Sequence, residues 1–460
     1  MNKTILHGAL TGCVAAACFA VTPAVADEIG DLKAEIAAQK QAAEAQKTRL
    51  DALEKRLNDV QVQATAVSSP PVRVGGNIDP VKDAGSYLPL PPLLAAGQGL
   101  TIQGANFNIG VYGLIDATIA YTNHADANGH SLSGFDATTN NAPWFSGARW
   151  GITGTRKLTD GGLNAIFKLE NEYLVRDGSA DDANAAFGRD AWVGFQSDDL
   201  GKFTFGRQNT VARDFSQNYG DPYGSSRTTL EEGGWTNSNN FKQLIFYAGS
   251  ATGTRYNSSV VWKKEVGAGF TAGLGYQFGE SAGSASNGGT QAVALAYAAG
   301  PLNLSGYYTH AKVGGRIDNS ESIGGNYTAG IVRVNAGYFH YTGQQGALGN
   351  RSDNAYTVSV KLAPQGPMDY ELGYQTLRAH DAARNGGGFT LNPFANTTSS
   401  TTAGSGNRST LYTSAFYHFN RAVEIYLAGD YLKLTNGYTA SGTHGFSNQF
   451  EVAAGTRLRF

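Results

Sequence analysis

Few residues of this 460-residue sequence are of types that carry out chemistry, and they do not form a catalytic arrangement. The sequence contains no H-E-x-x-H pattern and no P-loop, so zinc-protease and phosphate-cradling sites are not expected. Eight histidines are scattered without the spacing of metal ligands, namely His7, His124, His130, His310, His340, His380, His418 and His444. We therefore expect no enzyme activity, no cofactor and no bound metal.

Charged residues instead alternate with apolar residues in segments of about ten residues. In "GLNAIFKLENEY", Lys168 and Glu170 share one face of a strand, while Phe167 and Leu169 share the other. The last eleven residues, "FEVAAGTRLRF", repeat this pattern up to the final residue, Phe460. Such segments predict strands with an apolar face and a charged face, and hence a protein that acts through fixed charges along a surface.

These alternating segments recur along most of the chain and are separated by clusters of Gly, Asn, Asp and Ser. We count sixteen, near 108–121, 144–157, 162–175, 187–197, 201–209, 254–264, 268–278, 291–299, 302–312, 323–332, 333–343, 353–363, 368–378, 409–419, 422–434 and 447–460. Their length and even number are typical of transmembrane barrels. Short turns (159–162, 198–201, 299–301, 419–421) are expected on one rim and long polar loops, such as 379–408, on the other. The sequence predicts an all-β fold, a sixteen-stranded antiparallel transmembrane β-barrel over 105–460, preceded by a short α-helical coiled coil.

Composition agrees with a membrane protein that crosses the bilayer with strands. The chain has 60 Gly, 23 Tyr and 22 Phe, and only 16% of its residues are charged. Outside the N-terminus it has no run of about eighteen apolar residues, which a membrane helix needs. The formal net charge of −2 gives no reason to expect a nucleic-acid partner.

The N-terminus has the pattern of a secretory signal peptide. Lys3 precedes an apolar run, and small residues at 24–26 mark a cleavage site, so we predict a signal peptide over 1–26. An alternative is a lipobox ending at Cys13, which would make that residue a lipidated N-terminus. Cys13 and Cys18, the chain's two cysteines, both lie in this segment. The mature chain is therefore expected to contain no disulfide.

Residues 27–67 follow a heptad pattern that predicts a periplasmic coiled-coil stalk. Its middle is weak, with Gln39, Ala43 and Gln46 on the seam, so a single solvated helix is the alternative. The apolar seam consists of Ile29, Leu32, Ile36, Leu50, Leu53, Leu57 and Val60. Residues 68–104 are rich in Pro and Gly and predict a linker between this stalk and the barrel.

Several stretches of the sequence resemble the trimeric general diffusion porins of Gram-negative outer membranes. They are "VYGLIDA" (111–117), "ARWGITGTRKLTDGGLNAIFKLENEY" (148–173), "FGRDAWVGF" (187–195), "GKFTFGRQ" (201–208) and the terminal "AAGTRLRF". The resemblance implies a homotrimer in the outer membrane and a third loop, 210–253, that folds inward to narrow the pore. It also implies that Phe460 is part of the signal that the outer-membrane assembly machinery reads.

In that family, basic residues on the barrel wall face acidic residues of the third loop. The resemblance, together with the alternation for Lys168, predicts a pore constriction formed by Arg149, Lys168, Arg189, Arg207, Arg255, Asp214, Asp221, Glu231 and Glu232. Arg207 has the parity of Phe203 and Phe205, which should face lipid. We expect a bulge at Gly206 to turn Arg207 inward; otherwise Arg207 is not a lumen residue.

Two functions are consistent with the sequence. The first is an outer-membrane porin, a water-filled channel for passive diffusion of small hydrophilic solutes and ions, with a preference for sugars or anions left open. The second is a structural protein that tethers the membrane lipid to the cell wall through its stalk. Deletion of residues 27–67 separates them, because only a tether should then lose its function.

Overall fold

The computed structural model describes residues 37, 40, 41, 44, 47, 48, 100–137, 144–182, 184–220, 249–363, 367–385, 388–389, 402–420 and 422–460. The chain divides into two units, Met1–Pro71 and Val72–Phe460. The described residues of the first unit, 37, 40, 41, 44, 47 and 48, are helical and exposed. The predicted signal peptide and most of the predicted linker lie outside the described residues. The seam residues of the predicted coiled coil also lie outside them, namely Ile29, Leu32, Ile36, Leu50, Leu53, Leu57 and Val60, so the coiled coil stays a prediction.

The second unit is an antiparallel sheet that closes on itself. Its elements are β1 (Thr101–Gln103), β2 (Phe107–Thr122), β3 (Leu132–Phe135), β4 (Ala148–Lys157), β5 (Asn164–Tyr173), β6 (Asp190–Ser197), β7 (Gly201–Asn209), α1 (Val211–Gly220), β8 (Arg255–Gly267), β9 (Phe270–Gln277), β10 (Thr290–Ala299), β11 (Leu302–Val313), β12 (Arg316–Ala329), β13 (Val332–Gln344), β14 (Asn350–Leu362), β15 (Met368–Asn385), β16 (Gly388–Phe389), β17 (Ala403–His418), β18 (Val423–Thr435) and β19 (Asn448–Arg459). Within the described residues, sixteen strands form the wall: β2, β4 to β15 and β17 to β19. Because β19 pairs with β2, the ring is closed and the predicted barrel is confirmed.

Each wall strand buries every second side chain inside the barrel and exposes the others on the outside. In β18, Glu424 and Tyr426 are buried, whereas Ile425 and Leu427 are 44% and 58% exposed. This alternation follows from the pleat of the strand, which points successive side chains to opposite faces. Closure pairs the backbone groups of both edges, so an apolar outer face can lie in lipid without unpaired polar groups. None of the helices in the described part of the chain combines the length and hydropathy of a membrane-spanning helix.

The chain end completes the seam of the barrel. Phe460 and Gly113 exchange main-chain hydrogen bonds of 2.9 and 3.0 Å. The Phe460 ring lies over Gly113, because a Cβ built on that glycine would be 2.2 Å from the ring. The edge of β2 that pairs with β19 from Leu114 onward pairs with β1 at residues 108–110. The terminal aromatic residue is therefore held in the wall by its backbone and by the absence of a side chain at Gly113.

All sixteen predicted segments overlap a wall strand, and the differences lie at their ends. β4 begins at Ala148, because residues 144–146 turn into the lumen instead of joining the wall. β15 continues to Asn385 and β17 begins at Ala403, so the predicted loop 379–408 is shorter than expected. β15 is irregular between Ala379 and Ala382, which breaks the alternation that predicted the strand.

Candidate functional site

The predicted third loop begins with a helix inside the barrel. The Thr210 side chain accepts a 3.0 Å hydrogen bond from the Arg213 amide and caps α1. The ring centroid of Tyr219 lies 5.6 Å from that of Phe339. The Tyr219 ring packs on the wall at Gly324 and Gly337, where the absence of side chains makes room for it. The Tyr219 hydroxyl lies within hydrogen-bond distance of Ser322 Oγ, at 2.9 Å. The helix is thus fixed to the inner wall.

The first turn of α1 is also held by charge. The carboxylate of Asp214 forms an ion pair with Lys263 of β8, and both groups are buried. Its other oxygen accepts a 3.1 Å hydrogen bond from the Asn209 side chain. Asp214 was predicted to face the arginines of the wall, whereas the structure pairs it with a lysine that was not predicted. Asp221, Glu231 and Glu232, the other predicted loop acids, lie outside the described residues.

The wall beside this helix carries a dense set of charges centred on Glu170. One oxygen of Glu170 accepts a 2.5 Å bond from Arg189 Nε, and the other accepts a 2.6 Å bond from the Tyr112 hydroxyl. Lys168 Nζ lies 3.2 Å from Glu170 and 2.8 Å from Asp190. Two predicted basic residues, Lys168 and Arg189, therefore meet at acids of the wall itself.

Glu172 extends the same network toward the rim. Arg189 forms a second ion pair with Glu172, and Arg149 and Arg255 lie within electrostatic range of that carboxylate. Arg149 is buried on the inward face of β4, with its neighbour Trp150 on the outer face. Four of the five predicted basic residues are thus brought together, but their acidic neighbours come from β5 and β6 rather than from the loop.

Lys202 of β7 lies at the other end of the network. Its Nζ is 4.5 Å from the centroid of the Trp192 ring, a cation–π geometry. Lys202 also interacts electrostatically with Lys263 and Lys168. The alternation in the sequence could have predicted that Lys202 and Glu170 face the lumen, because each lies on the same face of its strand as the neighbouring polar residues.

We call these residues the charged cluster. Its basic members are Arg149, Lys168, Arg189, Lys202, Arg213, Arg255 and Lys263, and its acidic members are Glu170, Glu172, Asp181, Asp190 and Asp214. The formal charge of the cluster is therefore 7 − 5 = +2.

Arg207 is placed differently from the other predicted basic residues. A bulge is present, but its extra residue lies on β8, where Asn257 and Ser258 stand opposite Arg207. β7 itself continues its alternation, so Arg207 keeps the outward parity of Phe203 and Phe205. Its Nε donates to the Gly188 carbonyl at 2.6 Å, and Nη1 donates to the Asn257 side chain. The expectation that a bulge turns Arg207 into the lumen is not met.

A second network lines the inside of the seam. Glu424 of β18 forms ion pairs with Arg457 and Arg459 of β19, and the distance to Arg459 Nη2 is 2.9 Å. His418 lies between two carboxylates, 2.7 Å from Glu424 and 2.8 Å from Asp369. Because these side chains bridge neighbouring strands within the wall, they brace the barrel where its two ends meet.

One serine occurs in a G-x-S-x-G pattern, at residues 279–283 in the loop after β9. Its hydroxyl, on Ser281, donates to the carbonyls of Gly279 and Asn287 at 3.2 and 2.9 Å. A nucleophile elbow places its serine between a strand and a helix, whereas this loop leads into strand β10. The pattern here belongs to a rim loop.

Comparison with known proteins identifies the fold and the family. The chain is 29% identical to an outer membrane porin protein of Bordetella pertussis, with 62% of this chain and 76% of the relative covered. Its barrel superimposes on the anion-selective porin from Comamonas acidovorans with a TM-score of 0.55 at 19% identity, over 77% of this chain and 100% of that one. OmpF of Salmonella typhi, solved in complex with daunomycin, gives 0.52 at 15% identity, over 78% and 100%. These two structures establish likeness of fold.

The family model described as Gram-negative porin matches residues 92–456, which includes the wall strands from β2 to β18 and all but the last three residues of β19. The match spans the inward helix, the charged cluster and most of the seam. The chain therefore belongs to the Gram-negative porin family and is an outer-membrane channel for passive diffusion.

Proposed function

We propose that this channel is a homotrimer that passes small hydrophilic solutes and favours small anions. The observation that carries the preference is the charged cluster, whose described members have a formal charge of +2 beside the inward helix α1. A narrow passage lined by an excess of one charge raises the local concentration of the opposite ion. The Comamonas acidovorans porin, which has the same fold, is described as anion-selective.

The seam offers a face on which copies of the chain would pack. On the outside of β19 and β2 the side chains are small at Ala117, Ala454 and Thr456. Next to them lies a groove of about 490 Å³, lined by Trp150, Asn171, Tyr173, Gly178, Ala180 and Phe460. Small residues and a groove allow close approach of a neighbouring wall, which supports a trimer built around the seam.

Planar bilayer recordings test the channel and its preference together. Each inserted trimer should show three equal conductance levels, one for each pore. In a KCl gradient, the sign of the reversal potential should show that chloride is more permeant than potassium. Arg149→Ala removes one basic member of the charged cluster and should lower the anion preference. Steps of a single size, or a cation preference in the wild-type protein, would contradict the proposal.

The trimer face is tested separately by adding bulk to it. Ala117→Trp should shift the protein from trimer to monomer on semi-native gels. Ala191→Trp is the matched control, because Ala191 is also an outward-facing alanine but lies on β6, away from the seam. Equal trimer fractions in the two variants would rule out this face.

A further inference from the structure

We propose that residues 144–146, which we call the inward segment, form a second constriction element on the side of the lumen opposite α1. The proposal rests on the function of the chain as a channel and adds a residue-level determinant of which solutes fit. The segment lies between β3 and β4 in the chain, just before β4 begins at Ala148.

The wall strand β2 shows where the segment departs. On one side, β2 pairs with β4 up to Leu114 and with β3 from Ile119 onward. Among the described residues, no strand is paired with this side of β2 between Leu114 and Ile119. The Thr118 carbonyl in this stretch accepts a hydrogen bond from the Asp136 amide at 2.7 Å. Residues 144–146 lie against the inside of the barrel wall instead of in this gap.

Inward-facing side chains of β2 hold the backbone of the segment. The Trp144 amide donates to Thr118 Oγ1 at 3.1 Å, and the Ser146 amide donates to the Asp116 carboxylate at 2.9 Å. Asp116 also accepts a 2.8 Å bond from the Tyr426 hydroxyl of β18. These groups satisfy main-chain amides that the missing ladder would otherwise have paired.

Phe145 anchors the segment in an aromatic pocket on the inner wall. Its ring is 4.8 Å from that of Phe416 and 4.6 Å from that of Tyr426, measured between centroids, with an edge-on arrangement to Tyr426. The Arg457 guanidinium lies 5.3 Å from the Phe145 centroid. Phe145 and Trp144 are both fully buried, so the segment packs tightly against the inner wall and fills part of the lumen.

The position of the segment defines its effect on passage. α1 packs on the inner wall from β9 to β14, with Tyr219 bonded to Ser322 and to Thr357. The inward segment packs on β2, β17, β18 and β19. Of the wall strands, these two contacts leave β15 and the arc from β4 to β8, and the arc carries the charged cluster. We expect solutes to pass along that arc. Release of the segment opens a second, aromatic side of the lumen.

Conductance and solute size limits test this assignment in the full-length trimer. Phe145→Ala should raise single-channel conductance about twofold, since the conductance of a water-filled pore follows its narrowest cross-section. It should also speed the swelling of liposomes in raffinose more than in arabinose. Phe195→Ala is the control, because Phe195 is 47% exposed on the outer face of β6, and it should leave both values unchanged.

A labelling experiment shows whether the segment has moved in an intact barrel. The barrel residues contain no cysteine, so a thiol introduced by Ser146→Cys is its only reactive group. This thiol should resist a water-soluble maleimide in the otherwise native chain and react when Phe145→Ala is added. Heat-modifiable mobility on gels verifies that each variant is folded.

The outcomes separate the inference from the channel assignment. If the wild-type protein does not conduct, the channel itself is refuted. If the wild type conducts and the Phe145→Ala trimer labels at position 146 with unchanged conductance and size limit, the inward segment is not a constriction. If position 146 labels fully in the native chain, the packed segment is refuted. If Phe145→Ala yields no folded trimer, Thr118→Val, which removes the acceptor for Trp144, decides between the same results.

Discussion

Neutralising Glu170 should make the channel more selective for anions. Glu170→Gln raises the formal charge of the charged cluster from +2 to +3 and keeps the size of the side chain. The substitution leaves Arg189 paired with Glu172 and Lys168 paired with Asp190, so no buried cation loses its last partner. We therefore expect folded trimers, and an effect on permeation that comes from charge alone.

Coulomb's law gives the size of this effect. A unit charge roughly 7 Å from a passing ion changes its energy by about 0.6 kcal/mol at the dielectric constant of water. When the negative charge is removed, the energy of an anion in the pore falls by this amount and the energy of a cation rises by it. The ratio of anion to cation permeability should therefore rise about sevenfold at low salt. At 0.1 M salt, a Debye length of about 10 Å roughly halves the energy, and the expected rise is about threefold.

Reversal potentials in KCl gradients measure the ratio directly. The control is Asp160→Asn, which removes one negative charge from a fully exposed turn residue after β4, outside the lumen. The control should keep the wild-type ratio. A Glu170→Gln channel of normal conductance whose ratio is unchanged, falls, or does not depend on salt would refute the reasoning.

Three further predictions concern the seam, the helix and the stalk. Gly113→Val should displace the Phe460 ring, which occupies the place of a side chain at this position, and lower the fraction of assembled barrel on heat-modifiability gels several-fold. Asp214→Asn should leave Lys263 buried without its carboxylate, at a cost of about 3 to 5 kcal/mol; a lower midpoint of thermal unfolding and a noisier open channel should follow. Deletion of residues 27–67 should leave the single-channel conductance unchanged, as expected if the barrel alone forms the pore.

Each of these predictions has a specific counter-result. For the seam, Gly442→Ala is the control, because a Cβ at Gly442 meets no atom within 4 Å; equal assembly of the two variants would refute the role of the bare glycine. For the helix, an unchanged unfolding midpoint in Asp214→Asn would show that the ion pair does not fix α1. For the stalk, a changed single-channel conductance after deletion of residues 27–67 would contradict the prediction. An unchanged conductance in cells whose envelope is weakened would support the tether hypothesis.

The barrel could be predicted from the sequence because one signal repeats in every strand. The pleat forces alternate side chains to opposite faces, and lipid on one face makes that alternation visible as apolar and polar parity. The same signal failed where the chain left the wall. Pro143 and the adjacent aromatic residues at 144 and 145 interrupt the alternation before β4, and proline is disfavoured inside a sheet. These residues mark the inward segment, but nothing in parity indicates which way it turns.

The pairing of charges was harder to predict than their positions, because it depends on register. In the hairpin of β4 and β5, opposed residues have numbers that add to 321, so Arg149 stands opposite Glu172 and Thr153 opposite Lys168. The turn between the strands fixes this sum, and a slip of one residue would reverse the faces of a whole strand.

Arg207 shows the limit of reasoning from one strand, since the bulge that was expected on β7 occurs on its partner β8. A bulge is a property of a strand pair, and the sequence of one strand does not say which member holds the extra residue. For the same reason, parity placed Lys168 and Glu170 on one face, while only the paired strands show that Glu170 also holds Arg189. The register of the strands decides which acidic residues lie among the basic residues. It therefore decides the net positive charge on which the proposed anion preference depends.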